Sequence, residues 1–99
     1  MPIIREKKDG YFTMMKNYHL RDKELSLKAK GLLSVVLSLP DDWVFSIEGL
    51  RAISKEGKDS ISSALTELEI HGYLVRKRDR QRNGQLGSVV YTFYEHSRR

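Results

Sequence analysis

An α+β fold of three helices followed by a β-hairpin is what this 99-residue sequence predicts. Three observations carry it. Apolar residues recur at three-and-four spacing in successive stretches, Gly72 closes the last of these, and alternating residues then flank the turn pair Asn83-Gly84. Helix, tight turn, helix and a hairpin crowded with arginine make the layout of a winged helix-turn-helix: a three-helix core, a small antiparallel sheet and a β-hairpin wing.

Each element follows from its residues. Asp9-Gly10 is a turn pair, and Tyr11–Met15 reads as an edge strand whose flanking Lys7, Lys8 and Lys16 discourage edge-to-edge aggregation. Asn17 to Asp22 has room for one helical turn. The first long helix starts at Ser26, a good N-cap, or a turn earlier at Asp22, and Pro40 with Asp41-Asp42 stops it. Leu25, Ala29, Leu32, Leu33, Val36 and Leu37 form its apolar stripe, and Gly31 is expected to permit close packing against a neighbour. Trp43–Phe45 reads as a brief strand. Ser46 caps the second helix, with Phe45 and Leu50 spaced as a hydrophobic staple and Ile47, Leu50 and Ile53 on the buried side. Gly57 is expected to take a positive φ in the turn Lys55–Lys58.

The third helix runs from about Asp59 to His71. Ile61, Ala64, Leu65 and Leu68 share one side, while Asp59, Ser62, Ser63, Thr66 and Ile70 lie toward the other. Gly72 stands where a left-handed residue ends a helix. Strands Tyr73–Arg80 and Ser88–Glu95 complete the hairpin, with Gly87 suited to a bulge. The chain thus divides into a basic arm (1–10), one domain (11–95) and a tail or linker start (96–99).

Composition excludes several classes of function. There is no cysteine, so neither a disulfide framework nor a thiolate metal site can form. No apolar run approaches the ~18 residues of a membrane span, and the amino terminus lacks the apolar stretch of a secretory signal. A cytoplasmic, membrane-free setting fits. The net charge of +5 is concentrated: residues 1–30 carry eight cations against four anions, and residues 73–82 carry five cations against Asp79 alone. A phosphate-rich partner would meet the chain at those two places.

Arg76, Lys77, Arg78, Arg80 and Arg82 crowd the hairpin, where arginine can hold phosphate bidentately or enter a minor groove. Strand alternation puts Arg76, Arg78 and Arg80 on one face and Lys77 on the other. The third helix would approach the major groove with Ser60, Ser62, Ser63 and Thr66, while Lys55 and Lys58 hold backbone phosphates. Serine and threonine discriminate poorly between bases, and this helix is net acidic, so the hairpin is expected to carry more of the contact. Nothing points to an enzyme, a cofactor or a metal. His19, His71 and His96 have no ligand spacing, Glu67 and Glu69 face different directions, and there is neither a phosphate loop nor a nucleophile elbow.

Several blocks resemble a known family. They are Leu25-Ser26-Leu27-Lys28-Ala29-Lys30-Gly31-Leu32-Leu33, Leu39-Pro40-Asp41-Asp42-Trp43, Ser46-Ile47-Glu48-Gly49-Leu50, Ala64-Leu65-Thr66-Glu67-Leu68 and Gly72-Tyr73-Leu74-Val75-Arg76. Over roughly residues 11–95 the chain resembles the amino-terminal winged helix-turn-helix domain of DnaD-like replication initiators and replisome organisers, found in Gram-positive bacteria, phages and mobile elements. The resemblance implies a non-catalytic domain that binds double-stranded DNA in replication initiation, or in transcriptional regulation. The competing expectation is an interaction module that forms a homodimer or docks onto replication proteins through the edge strand Tyr11–Met15 and Ile70, and some similar domains self-associate. Similar domains commonly precede a second region, so the chain reads as a fragment or a stand-alone regulator. Similar sequences often carry a cation where Ser62 or Thr66 stands here, which shifts the expected DNA contact toward the hairpin and the amino-terminal lysines.

Overall fold

A computed structural model describes residues 2, 3, 5, 10–80 and 86–98. The architecture is α+β: α1 (Leu27–Leu37), α2 (Ile47–Ala52), α3 (Lys58–Ile70), then β1 (Leu74–Arg80) and β2 (Leu86–Phe93). α3 packs against α1, α2 and β1, and so occupies the centre. The Asn83-Gly84 turn and Arg82 lie outside the described residues.

The caps read from sequence are in place. Ser26 Oγ accepts the Ala29 N–H at 3.1 Å, and Ser46 Oγ accepts the Gly49 N–H at 2.9 Å, so each helix starts where its side-chain cap stands. Gly72, at φ +85°, ends α3 in a full Schellman turn. Its N–H bonds Glu69 O at 3.2 Å and the Tyr73 N–H bonds Leu68 O at 2.9 Å, satisfying two carbonyls the helix end would leave open. Asn17–Asp22 makes the expected single turn, with the Arg21 N–H on Asn17 O.

Leu25, Ala29 and Leu33 meet Leu50, the α3 residues Ile61, Leu65 and Leu68, and Tyr73 and Leu74 in one core. Each such leucine stabilises the fold by roughly 1.5–3 kcal/mol through removal of apolar surface from water. Phe45 extends the core onto the hairpin, its ring 4.5 Å from Tyr91 and 5.2 Å from Phe93. β1 and β2 pair antiparallel, Leu74 opposite Phe93, Arg76 opposite Tyr91 and Arg78 opposite Val89. Arg80 then pairs with Leu86, so two β2 residues, Gly87 and Ser88, oppose Asp79. This is the bulge expected at Gly87.

Five expectations are corrected. Tyr11–Met15 is not a strand but a mostly exposed stretch outside regular secondary structure, with Met15 half-buried. Trp43–Phe45 is not a strand either: three residues between the Pro40 turn and the Ser46 cap let the rings pack but leave no length for a ladder. Among the described residues the sheet is therefore the hairpin alone. Ile53 is exposed, because α2 ends at Ala52 and the chain has already left the helical face that buries Leu50. Gly57 sits at φ −86° as the extended N-cap of α3, so the corner needs no left-handed residue. A Cβ on Gly31 would meet nothing within 4 Å, so close packing does not explain that glycine. The carboxy-terminal stretch is tied down through Arg98: Ser97 Oγ donates to His71 O at 2.7 Å, and the Arg98 N–H donates to Gly72 O at 2.7 Å.

His19 is fully buried beneath the amino-terminal turn. Ser34 Oγ donates to Lys30 O at 2.8 Å, leaving its lone pairs for the His19 Nε2–H at 2.9 Å. That arrangement assigns the neutral Nε2–H tautomer and leaves Nδ1 buried without a partner. Burial lowers the His19 pKa; Glu95 opposes that shift and Lys30 adds to it.

Candidate nucleic-acid interface

The interface is built around α3, whose two glutamates are both engaged on its flanks. Glu67 reaches the start of α1, accepting the Ser26 N–H and, at 2.8 Å, the Ser26 hydroxyl. The Ser26 backbone bond is the main reason that its carboxyl titrates below the usual range. Glu69 takes Arg76 in a two-pronged pair, Nη2 to Oε1 at 2.9 Å and Nε to Oε2 at 3.3 Å. The Arg76 hydrogen bond holds the Glu69 carboxyl down and the guanidinium up. Glu69 is thus charge-paired inside the fold, while Glu67 is held by neutral donors and keeps its negative charge on the α1 side of the helix.

The outward face of α3 carries Asp59, Ser63, Thr66 and Ile70, all exposed, with Ser62 half-buried. Lys28 of α1 reaches across to this face, its Nζ donating to Ser63 Oγ at 3.2 Å. Sequence reasoning missed Lys28, because 35 residues separate the pair and only the α1–α3 packing joins them. Lys55 and Lys58 are exposed at the α2–α3 corner. Ser60 belongs elsewhere: it is half-buried and lines a cleft of about 280 Å³ between α1 and α3, so it does not sit among the outward hydroxyls.

The hairpin cations divide as well. Arg76 is committed to Glu69, so it braces the hairpin against α3. Arg78 is one pleat further out on the same face and is exposed, with Nη1 donating to Gly87 O at 3.2 Å. Lys77 is exposed on the opposite face. The backbone of Arg80 lies in β1. The structure therefore gathers Lys28, Ser63 and Thr66 on one surface, sets Lys55 and Lys58 at its corner, and gives Arg78 a role separate from that of Arg76. Among the described residues, no group of three His, Asp or Glu side chains is placed to hold a metal ion, and no helix is long and apolar enough to cross a membrane. Comparison with protein-family models, with curated proteins and with solved structures finds no match to this chain.

Proposed function

We propose that this chain is a winged helix-turn-helix domain that binds double-stranded DNA without catalysis, chiefly through its phosphate backbone. The observation that supports this reading best is the pairing of Glu69 with Arg76 beside four exposed cations that face no carboxylate in a salt bridge among the described residues: Lys28, Lys55, Lys58 and Arg78. The hydroxyls of Ser63 and Thr66 allow close approach of a groove, while Arg78, with Arg80 and Arg82 beyond it in sequence, reaches flanking phosphates. The setting that fits the sequence blocks is replication initiation in a bacterium, phage or mobile element, with transcriptional regulation using the same surface in the same way.

With about five phosphates neutralised, log affinity falls against log salt with a slope near −4 to −5. Replacing Arg78, Arg80 and Arg82 together with alanine flattens that slope in a mobility-shift or anisotropy titration. Unchanged duplex affinity in this triple variant would sink the reading. One observation favours self-association as a second reading: the α1–α3 cleft opens beside Leu27, 85% exposed, and Val35, 41% exposed. Sedimentation equilibrium of the chain without DNA separates the two.

A further inference from the structure

A second cleft, of about 490 Å³, opens at the base of the hairpin between the amino-terminal turn and the carboxy-terminal stretch. Lys16, Tyr18, Asp22, Tyr73, His96 and Ser97 line it. Its rim is aromatic and cationic. The Tyr18 ring is 63% exposed and meets His96 edge-on at 6.0 Å, and the Arg98 guanidinium lies 4.9 Å over the Tyr94 ring. Lys16 is exposed beside them, its backbone N–H held by Glu95 Oε1 at 2.8 Å.

Asp22 lies within the cleft. Its Oδ2 accepts the Tyr73 hydroxyl at 2.7 Å and its Oδ1 accepts the Glu24 N–H at 2.9 Å. The Tyr73 bond first, then the Glu24 bond, keep that carboxyl ionised, while burial followed by the Asp22 bond pushes the Tyr73 phenol up to about 12. A fixed carboxylate repels a phosphate placed inside the cleft and accepts from an N–H on a base edge, such as the N3–H of thymine or uracil. Lys16 in the lining, and Arg98 next in sequence to the lining residue Ser97, favour phosphate outside. Flat rings with an open face stack on bases of any identity.

From these placements we propose that the cleft binds single-stranded nucleic acid, bases inward on Tyr18 and His96 and phosphates outward along Lys16 and Arg98. A duplex cannot use it, since paired bases hide their faces. The site is distinct from the hairpin cation: Arg78 stands five residues along the chain from Tyr73, about 17 Å away at the rise of a β-strand.

The test uses the whole chain with three probes: a short oligothymidylate, the matching oligouridylate and a random-sequence duplex. Tyr18→Ala is expected to weaken oligothymidylate binding about fivefold or more, the stacking contribution of one base, and Tyr18→Phe to retain it. Neither changes duplex affinity. His96→Ala, at an exposed position, repeats the test independently. Tyr18-dependent binding of oligouridylate extends the ligand to RNA on the same chemistry. Absence of single-strand binding, equal affinity in Tyr18→Ala and His96→Ala, or a parallel loss of duplex affinity would each overturn the proposal. Failure of duplex binding alone would count against the function proposed above and leave this site standing.

Discussion

Arg76 and Arg78 are neighbours on one face of one strand, yet the structure gives them opposite work. Arg76 is clasped by Glu69 at 2.9 Å and only a quarter exposed, whereas Arg78 is exposed with a single bond to a backbone carbonyl. If DNA meets the hairpin, Arg78→Ala removes a phosphate contact and flattens the log–log salt slope by about 0.9. Arg76→Ala leaves the slope within experimental error of the parent, because that guanidinium is already occupied. Its cost appears in stability instead. The lost pair is partly solvent-screened, so about 0.5–1.5 kcal/mol is expected, and a domain of this size shifts its Tm by about 4–8 °C per kcal/mol. The assay is fluorescence anisotropy of a labelled duplex across a salt series, with a thermal melt of each variant. Equal flattening by the two substitutions would refute the reasoning, since it would mean that Arg76 leaves Glu69 for DNA.

Other expectations follow from the same contacts. Ser26→Ala removes both the α1 cap and the hydroxyl that Glu67 accepts, and should cost about 1–2 kcal/mol in urea denaturation; less than half of that would show the clasp to be ornamental. Gly72→Ala should cost about 1–2 kcal/mol because its φ of +85° strains any side chain, while Gly31→Ala should stabilise by about 0.5–1 kcal/mol, having open space in a helix. A chevron or melt in which both alanines act alike would contradict the two backbone assignments. His19 is held neutral by burial, so its folded pKa lies below the unfolded value of 6.5. Its contribution is full above about pH 6.5 and is lost as pH falls through the folded value, as the unfolded chain takes up the proton first. Urea midpoints measured down from neutral pH should fall in the parent and stay flatter in His19→Leu until the carboxylate range, where Asp22, Glu67 and Glu69 lose their own bonds.

Local signals were the readable ones. Ser26, Ser46 and Gly72 end or begin helices through bonds that span three to five residues, so sequence spacing is sufficient to place them. The α3 core face follows equally from its period, since Ile61, Ala64, Leu65 and Leu68 need only a common side to be buried together. Strand formation at Tyr11–Met15 and Trp43–Phe45 was not legible, because a strand exists only where a partner ladder is present, and composition does not report the partner. The site was half legible. Its cations could be counted, but which were free depended on Glu69 meeting Arg76 across the Gly72 turn and Lys28 meeting Ser63 across two helices. The first pair had a cue in sequence: a helix that reverses into a strand at a glycine returns the chain along itself. The second had none.

The two glutamate clasps also determine how α3 can respond to whatever it touches. Glu67 and Glu69 leave the helix about 160° apart around its axis, at roughly 100° per residue, and one is pinned to α1 while the other is pinned to β1. Held from both sides, the helix cannot roll without stretching one bond or compressing the other. A roll of about 20° would carry side-chain tips about 2 Å, given a helix radius of about 5–6 Å with side chains, more than a hydrogen bond tolerates. Ser63 and Thr66 are therefore offered at a fixed azimuth. A ligand that fits them gains from a surface with little torsional freedom left to freeze, and one that needs a different azimuth must first break a clasp.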